Sequence, residues 1–303
     1  MSSPVVPRLQ LLAAALLFST GGAAIKWTAL TGWQVASFRS GVAALTIALL
    51  VPASRRGWSL PVLAVSGCYA TTMICFVVAN KLTTAANTIF LQSTAPLYIM
   101  AASPWLLHER VRARDLLLMV VVAAGLVPFF LTGDDAASAT APDPARGNLV
   151  ALTSGVAWAA TMIGLRWLAA GGGARDAADG APEGKGDAAF ATVLVGNLLA
   201  FLVCLPLALP AAGGAADWAV IGYLGIFQIG AAYLFLTSAV RHVGALEASI
   251  ILLAEPALNP IWAWLVHGER PSGWALAGGG VILGATIAKA WLDTPSEPAS
   301  TPA

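Results

Sequence analysis

Charge is what this chain has little of. Only 10% of its 303 residues are Asp, Glu, Lys or Arg, against about 25% in a soluble globular protein. So few charges cannot cover a water-facing surface, which excludes a soluble domain. The formal net charge of +1 offers no basic face, so a nucleic-acid partner is not expected. Cysteine is scarce too. Cys68, Cys75 and Cys204 show no metal-ligand spacing and no obvious pairing, and they read as small buried hydrophobes. No metal and no cofactor are expected. The three histidines, His108, His242 and His267, fall at the ends of apolar runs with no serine or metal partner at helical spacing. That argues against an intramembrane hydrolase, the remote alternative, and the chain is not expected to be an enzyme. The lack of repeated charged rings or a carbonyl filter motif argues against a channel.

What is present is apolar sequence, 58% of the residues, at a mean hydropathy of +0.78. Stretches such as Leu9 to Phe18, Val35 to Pro52 and Leu116 to Leu131 are apolar all round, as lipid-facing or fully buried helices are. A span needs about 20 apolar residues. Ten segments meet that length, near 9–28, 33–54, 60–80, 85–107, 114–132, 147–168, 188–209, 217–240, 246–266 and 272–291. The fold class expected is an all-α integral membrane protein with ten transmembrane helices. Arg8, an apolar core and the small residues STGGAA resemble a signal peptide, but the apolar run continues past them to Trp27.

Basic residues set the orientation. With a cytoplasmic N-terminus, eleven Lys and Arg residues lie at cytoplasmic ends and four, Lys26, Lys81, Arg146 and Arg270, at the opposite ends. Both termini are therefore expected in the cytoplasm. Trp27, Trp33, Trp58, Trp105, Trp167, Trp218, Trp274 and Trp291 sit near span ends, where amphipathic rings prefer the headgroup layer.

The chain repeats itself. At an offset of 160 residues Pro96 meets Pro256, Glu109 meets Glu269 and Arg110 meets Arg270. At an offset of 140, Leu9 meets Leu149, Trp27 meets Trp167 and Lys26 meets Arg166. An insertion, GGGARDAADGAPEGKGD at 171–187, explains the change of offset. Residues 1–132 thus form one five-helix repeat and 147–292 a second. Residues 133–146 form an outer linker, 171–187 a cytoplasmic insertion and 293–303 a solvated tail, all read as disordered connectors. Five spans is an odd number, so the two repeats must be inverted, the arrangement of secondary transporters with a site near the midplane.

Inverted five-plus-five spans, the Glu-Arg pair closing spans four and nine, and FSTGGAAIKW matched by WAATMIGLRW resemble the drug/metabolite transporter superfamily. The similarity is greatest to its EamA-type exporters, including bacterial exporters of amino acids. The resemblance implies a protein of the bacterial inner membrane that exports amino acids or similar small metabolites by alternating access. Drugs, nucleotide-sugars and lipid-linked headgroups are the alternative cargo. It further implies a cavity walled by spans 1, 3, 4, 6, 8 and 9, with spans 5 and 10 bracing the outside. Trp158 matches a span-six tryptophan of the amino-acid exporters. Where those exporters carry aromatics before the span-four proline, this chain has Ser93, Thr94 and Ala95, which argues against aromatic amino acids as the main cargo.

Several residues are candidates for cargo binding. Thr88, Gln92, Ala95 and Ile99 share a stripe of span four, and their repeat partners in span nine are Ala248, Leu252, Glu255 and Asn259. Facing stripes would place Thr88, Gln92, Glu255 and Asn259 on a common cavity. Thr72, Met73 and Phe76 of span three, Tyr233 of span eight and Trp158 complete the candidate set. Pro96, Pro256 and Pro260 are candidate kinks that flex between states. Glu255 lies about nine residues into its span, roughly 13 Å. An acid at that depth costs about 2.5–3.5 kcal/mol on insertion scales, so it is expected to be protonated or paired. Arg39 is only about a turn or two from the outer end of its span and is expected to snorkel, with a gating or substrate-carboxylate role as second choice. Glu109 and Glu269 are read as helix-start acids. GGGVILGA at 278–285 is read as a tight helix contact and a candidate homodimer face.

Overall fold

The computed structural model describes residues 5–106, 113–131, 138–169, 187–239, 242–243 and 245–292. Glu109, Arg110, residues 171–186 of the insertion and the 293–303 tail lie outside them. The described chain is helical throughout. It runs α1 (Val5–Ser19), α2 (Gly21–Trp27), α3 (Gly32–Leu50), α4 (Leu60–Leu82), α5 (Ala85–Gln92), α6 (Ala95–Leu106), α7 (Ala113–Leu126) and α8 (Pro128–Leu131). The second half holds α9 (Pro144–Ala169), α10 (Asp187–Ala208), α11 (Ala215–Tyr223), a π-helical stretch (Leu224–Ala231), α12 (Ala232–Ala239), α13 (Ala245–Leu252), α14 (Ala254–His267) and α15 (Gly273–Leu292).

Among the described residues nine helical segments are long and apolar enough to span a bilayer. The sequence reading expects a tenth at 85–107. That segment is split in two at Ser93 and Thr94, which separate α5 from α6. Pro96 lies in the first turn of α6 and Pro256 in the first turn of α14. There a missing N–H leaves no intrahelical bond unmade. Both prolines thus open a new helix rather than bend a continuous one, and of the three candidate kinks only Pro260 lies inside a helix. All eight tryptophans expected at the interfaces are exposed.

Local sequence explains several helix starts. The Thr31 hydroxyl accepts the backbone N–H of Gln34 at 3.2 Å while the Gln34 side-chain oxygen accepts the backbone N–H of Thr31 at 3.0 Å, a reciprocal capping box. Ser59 and Thr84 cap α4 and α5 through their hydroxyls. In the packing, α4 lies on α9, α1 on α12, α3 on α10, and α7 on α15. Small residues permit the closest approaches. A methyl on Gly278 would sit 2.6 Å from the Gly125 carbonyl oxygen, and one on Gly279 would sit 2.5 Å from the Phe90 ring. That part of the GGGVILGA run is therefore used inside this chain, whereas Gly280 and Gly284 face open space. Residues 138–146 of the expected linker carry defined structure. Ser138 and Ala141 bridge each other, the Asp143 N–H donates to the Leu82 carbonyl at 3.0 Å, and α9 already begins at Pro144.

Candidate functional site

One cavity of about 240 Å³ opens at the middle of the bundle. Phe18 of α1, Arg39 of α3, Thr72, Met73 and Phe76 of α4, Gln92 of α5 and Trp158 of α9 line it. From the far side come Gln228, Ile229, Tyr233, Leu236, Leu252 and Glu255. The wall is aromatic on several sides. Phe18 meets Tyr233 edge-on with centroids 5.2 Å apart, and Tyr233 meets Tyr69 at 5.9 Å. Asn197 fixes Tyr69 by donating to its hydroxyl at 3.2 Å. On the opposite side Gln92 donates to the Ser154 hydroxyl at 2.8 Å, which in turn donates to the Thr72 carbonyl at 3.1 Å. The Gln92 amide is thereby oriented by two other helices.

Two charge-bearing groups face this space. Arg39 is 1% exposed and does not snorkel, because its guanidinium points into the bundle. There it reaches the Gln228 side-chain oxygen at 3.5 Å and the Met73 carbonyl at 3.3 Å, while its Nε donates to nothing. Glu255 lies across the cavity, and no described residue hydrogen-bonds or ion-pairs with its carboxyl. Arg39 and Glu255 share a cavity without pairing with each other.

Seven of the nine residues expected to bind cargo border this cavity: Thr72, Met73, Phe76, Gln92, Trp158, Tyr233 and Glu255. Thr88 and Asn259 do not. Both are fully buried in packed helix contacts, and the Thr88 hydroxyl is turned back on the Thr84 carbonyl at 3.0 Å. Sequence reasoning missed Phe18 and Gln228. Gln228 carried a readable signal, a lone amide inside the apolar run LGIFQIGAA. The π-helical stretch that aims it carried none. That stretch presses on α3, where a methyl on Gly225 would come within 2.5 Å of Val42. Such π segments recur at functional sites.

The expected outer end is sealed by a second polar cluster. Lys26 ion-pairs with Glu269 at 3.0 Å, both side chains less than 5% exposed, and its ammonium also donates to the Thr83 carbonyl at 2.7 Å and to that of Thr140. Glu269 accepts the N–H of Ala85 at 2.6 Å. It thus serves a helix start, as expected of a helix-start acid, but the start of α5 rather than of α15. Lys81 donates to the Thr28 carbonyl at 2.7 Å, and His267 lies 2.9 Å from the Ala23 carbonyl.

Known proteins resemble this chain in sequence and in fold. Over 288 residues the chain is 27% identical to the pseudopaline exporter CntI of Pseudomonas aeruginosa strain UCBPP-PA14, covering 91% of this chain and 92% of that one. The exporter of strain PAO1 aligns over 292 residues at the same identity and coverage. A solved crystal structure superposes with a TM-score of 0.59 over 96% of this chain and 98% of its own, at 21% identity, a likeness of fold alone. These relatives support a metabolite transporter or exporter. Residues 145–288 match the EamA-like transporter family, and with nine apolar helices among its described residues the chain is a multi-pass membrane protein.

Proposed function

We propose that this chain is a secondary transporter that exports amino acids or similar small zwitterionic metabolites from the cytoplasm by alternating access. One observation carries the reading: a central cavity presents Arg39 and Glu255 without pairing them. A charge held away from water without a countercharge is costly, and a cargo bearing a carboxylate and an ammonium would satisfy both at once. The apolar rings of Phe18, Phe76 and Trp158 would then hold its carbon portion. The volume of about 240 Å³ lies below the range of about 300–1,000 Å³ common for drug-sized ligands. That favours an amino-acid-sized cargo over nucleotide-sugars, lipid headgroups or drugs.

The spans are read as ten in two inverted halves, with α5 and α6 together forming the fourth. Two features support this. The α5/α6 break follows Gln92 and the α13/α14 break follows Leu252, which are related by the same 160-residue offset as Pro96 and Pro256. The packing also maps onto itself when the halves are exchanged. The α4–α9 contact becomes that of α12 with α1, and α3–α10 and α7–α15 each become themselves. Matched breaks at the cavity are the natural hinges for rocking one half against the other. The setting proposed is the bacterial inner membrane, with both termini in the cytoplasm.

Bacteria overproducing the protein should tolerate toxic amino-acid analogues at several-fold higher concentration and release more free amino acid into the medium. Tolerance that rises only for hydrophobic drugs would overturn the cargo assignment.

A further inference from the structure

Asn80 of α4 and Asn259 of α14 are wholly buried, and neither borders the cavity. Neither amide atom of Asn259 has a hydrogen-bond partner. Asn80 donates to the Phe76 carbonyl at 2.9 Å, but its own side-chain oxygen accepts nothing. The two side chains converge on one spot. A methyl built on Gly22 of α2 would lie 2.5 Å from Asn259 Oδ1, 3.1 Å from Asn80 Oδ1 and 3.0 Å from the Ala85 methyl.

Helical spacing places that spot on a line between the cavity and the outer seal. Asn80 lies four residues past Phe76, and Asn259 four past Glu255, so each amide is one turn beyond a cavity residue. Lys26 lies four residues past Gly22, so the ion pair with Glu269 is one turn further out. Buried polar atoms without partners destabilise the state that contains them, and a leucine at either position would fill similar volume without that penalty. Oxygens that converge beside Gly22 without receiving a hydrogen bond call for a donor, and an ammonium group brings three donors and no acceptor.

We propose that Asn80 and Asn259 form a second binding position, one turn outward of the cavity, for the ammonium group of an amino-acid cargo as it leaves. Cargo reaches it when α2 and α14 part and the Lys26–Glu269 pair opens. This position rests on the reading of the central cavity as the cargo site. Gly22 belongs to it because any side chain there would occupy the ammonium's place.

The test is efflux of radiolabelled leucine from liposomes holding the purified full-length protein. Binding of leucine to the detergent-solubilised protein, read as a thermal shift, is measured alongside. Asn259→Leu should slow efflux roughly tenfold while leaving leucine binding within about twofold and the unfolding temperature equal or higher. Asn80→Leu, on a different helix, should reproduce that split. Asn259→Thr, which keeps an acceptor oxygen, should recover part of the efflux. A higher unfolding temperature with wild-type efflux in either leucine variant would mean that the pair holds water only, and would overturn the proposal. Efflux and binding falling together with stability would assign the amides to packing and overturn it equally. Wild-type liposomes that move no amino acid would overturn the reading of the cavity, and this position with it.

Discussion

Arg39→Gln should bind cargo about 10- to 100-fold more weakly, without loss of stability. The affinity follows from the interaction removed. Hydrogen bonds to a charged group contribute about 1.5–3 kcal/mol each, and about 1.4 kcal/mol is a factor of ten. The stability follows from what Arg39 lacks in this structure. Its guanidinium is 1% exposed, its two oxygen contacts are 3.3 and 3.5 Å long, and its Nε has no partner. Replacing a buried, poorly compensated cation with a neutral amide removes more desolvation penalty than attraction. Arg39→Lys keeps the charge but loses the planar fork that matches a carboxylate, so it should fall between the two. Thermal unfolding in detergent, with and without amino acid, reads both quantities from one set of samples. A variant that is markedly less stable and keeps wild-type affinity would make Arg39 a structural strut between α3, α4 and the π-helical stretch.

Glu269→Gln should be the most destabilising single change among the charged residues. Lys26 and Glu269 are less than 5% exposed in their side chains and lie 3.0 Å apart. Removing the acid leaves a buried ammonium held only by the Thr83 and Thr140 carbonyls. Breaking a buried pair on one side costs about 3–5 kcal/mol. The same substitution swaps a carboxylate for a weaker acceptor at the Ala85 N–H. The double variant Lys26→Met with Glu269→Gln should recover most of the loss, because no uncompensated charge then remains. Unfolding temperatures of the two variants in detergent decide the matter. A double variant no more stable than Glu269→Gln alone would show that the cluster contributes through packing rather than charge.

The spans were legible because lipid requires about 20 apolar residues in a row, and that requirement is written directly in composition. The cavity was legible in azimuth but not in depth. Thr88, Gln92, Glu255 and Asn259 were chosen on one-face spacing, and the two that miss the cavity, Thr88 and Asn259, both lie one turn outward of the two that line it. Spacing along a helix says which face a residue shares. Where the cavity ends depends on residues of other helices, here Gly22 and Ala85, whose approach no local pattern encodes. Arg39 was misplaced for a related reason. Its position near a span end permits snorkelling, but the neighbouring π-helical stretch offers Gln228 on the inner side, and the guanidinium turns there. The helix breaks were half legible, since Pro96 and Pro256 marked the places but suggested bends rather than restarts.

The central claim is that Arg39 and Glu255 together recognise a carboxylate and an ammonium on one small cargo. Efflux from proteoliposomes tests it most directly, with three labelled compounds of similar size compared side by side: leucine, its decarboxylated amine 3-methylbutylamine, and its deaminated acid 4-methylpentanoate. Background leak of each compound is subtracted using liposomes without protein. Leucine should leave at least tenfold faster than either single-charge analogue, and Glu255→Gln should reduce leucine efflux and flatten its dependence on pH. Equal protein-dependent efflux of all three compounds, or unaltered leucine efflux in Glu255→Gln, would contradict recognition by the two charges.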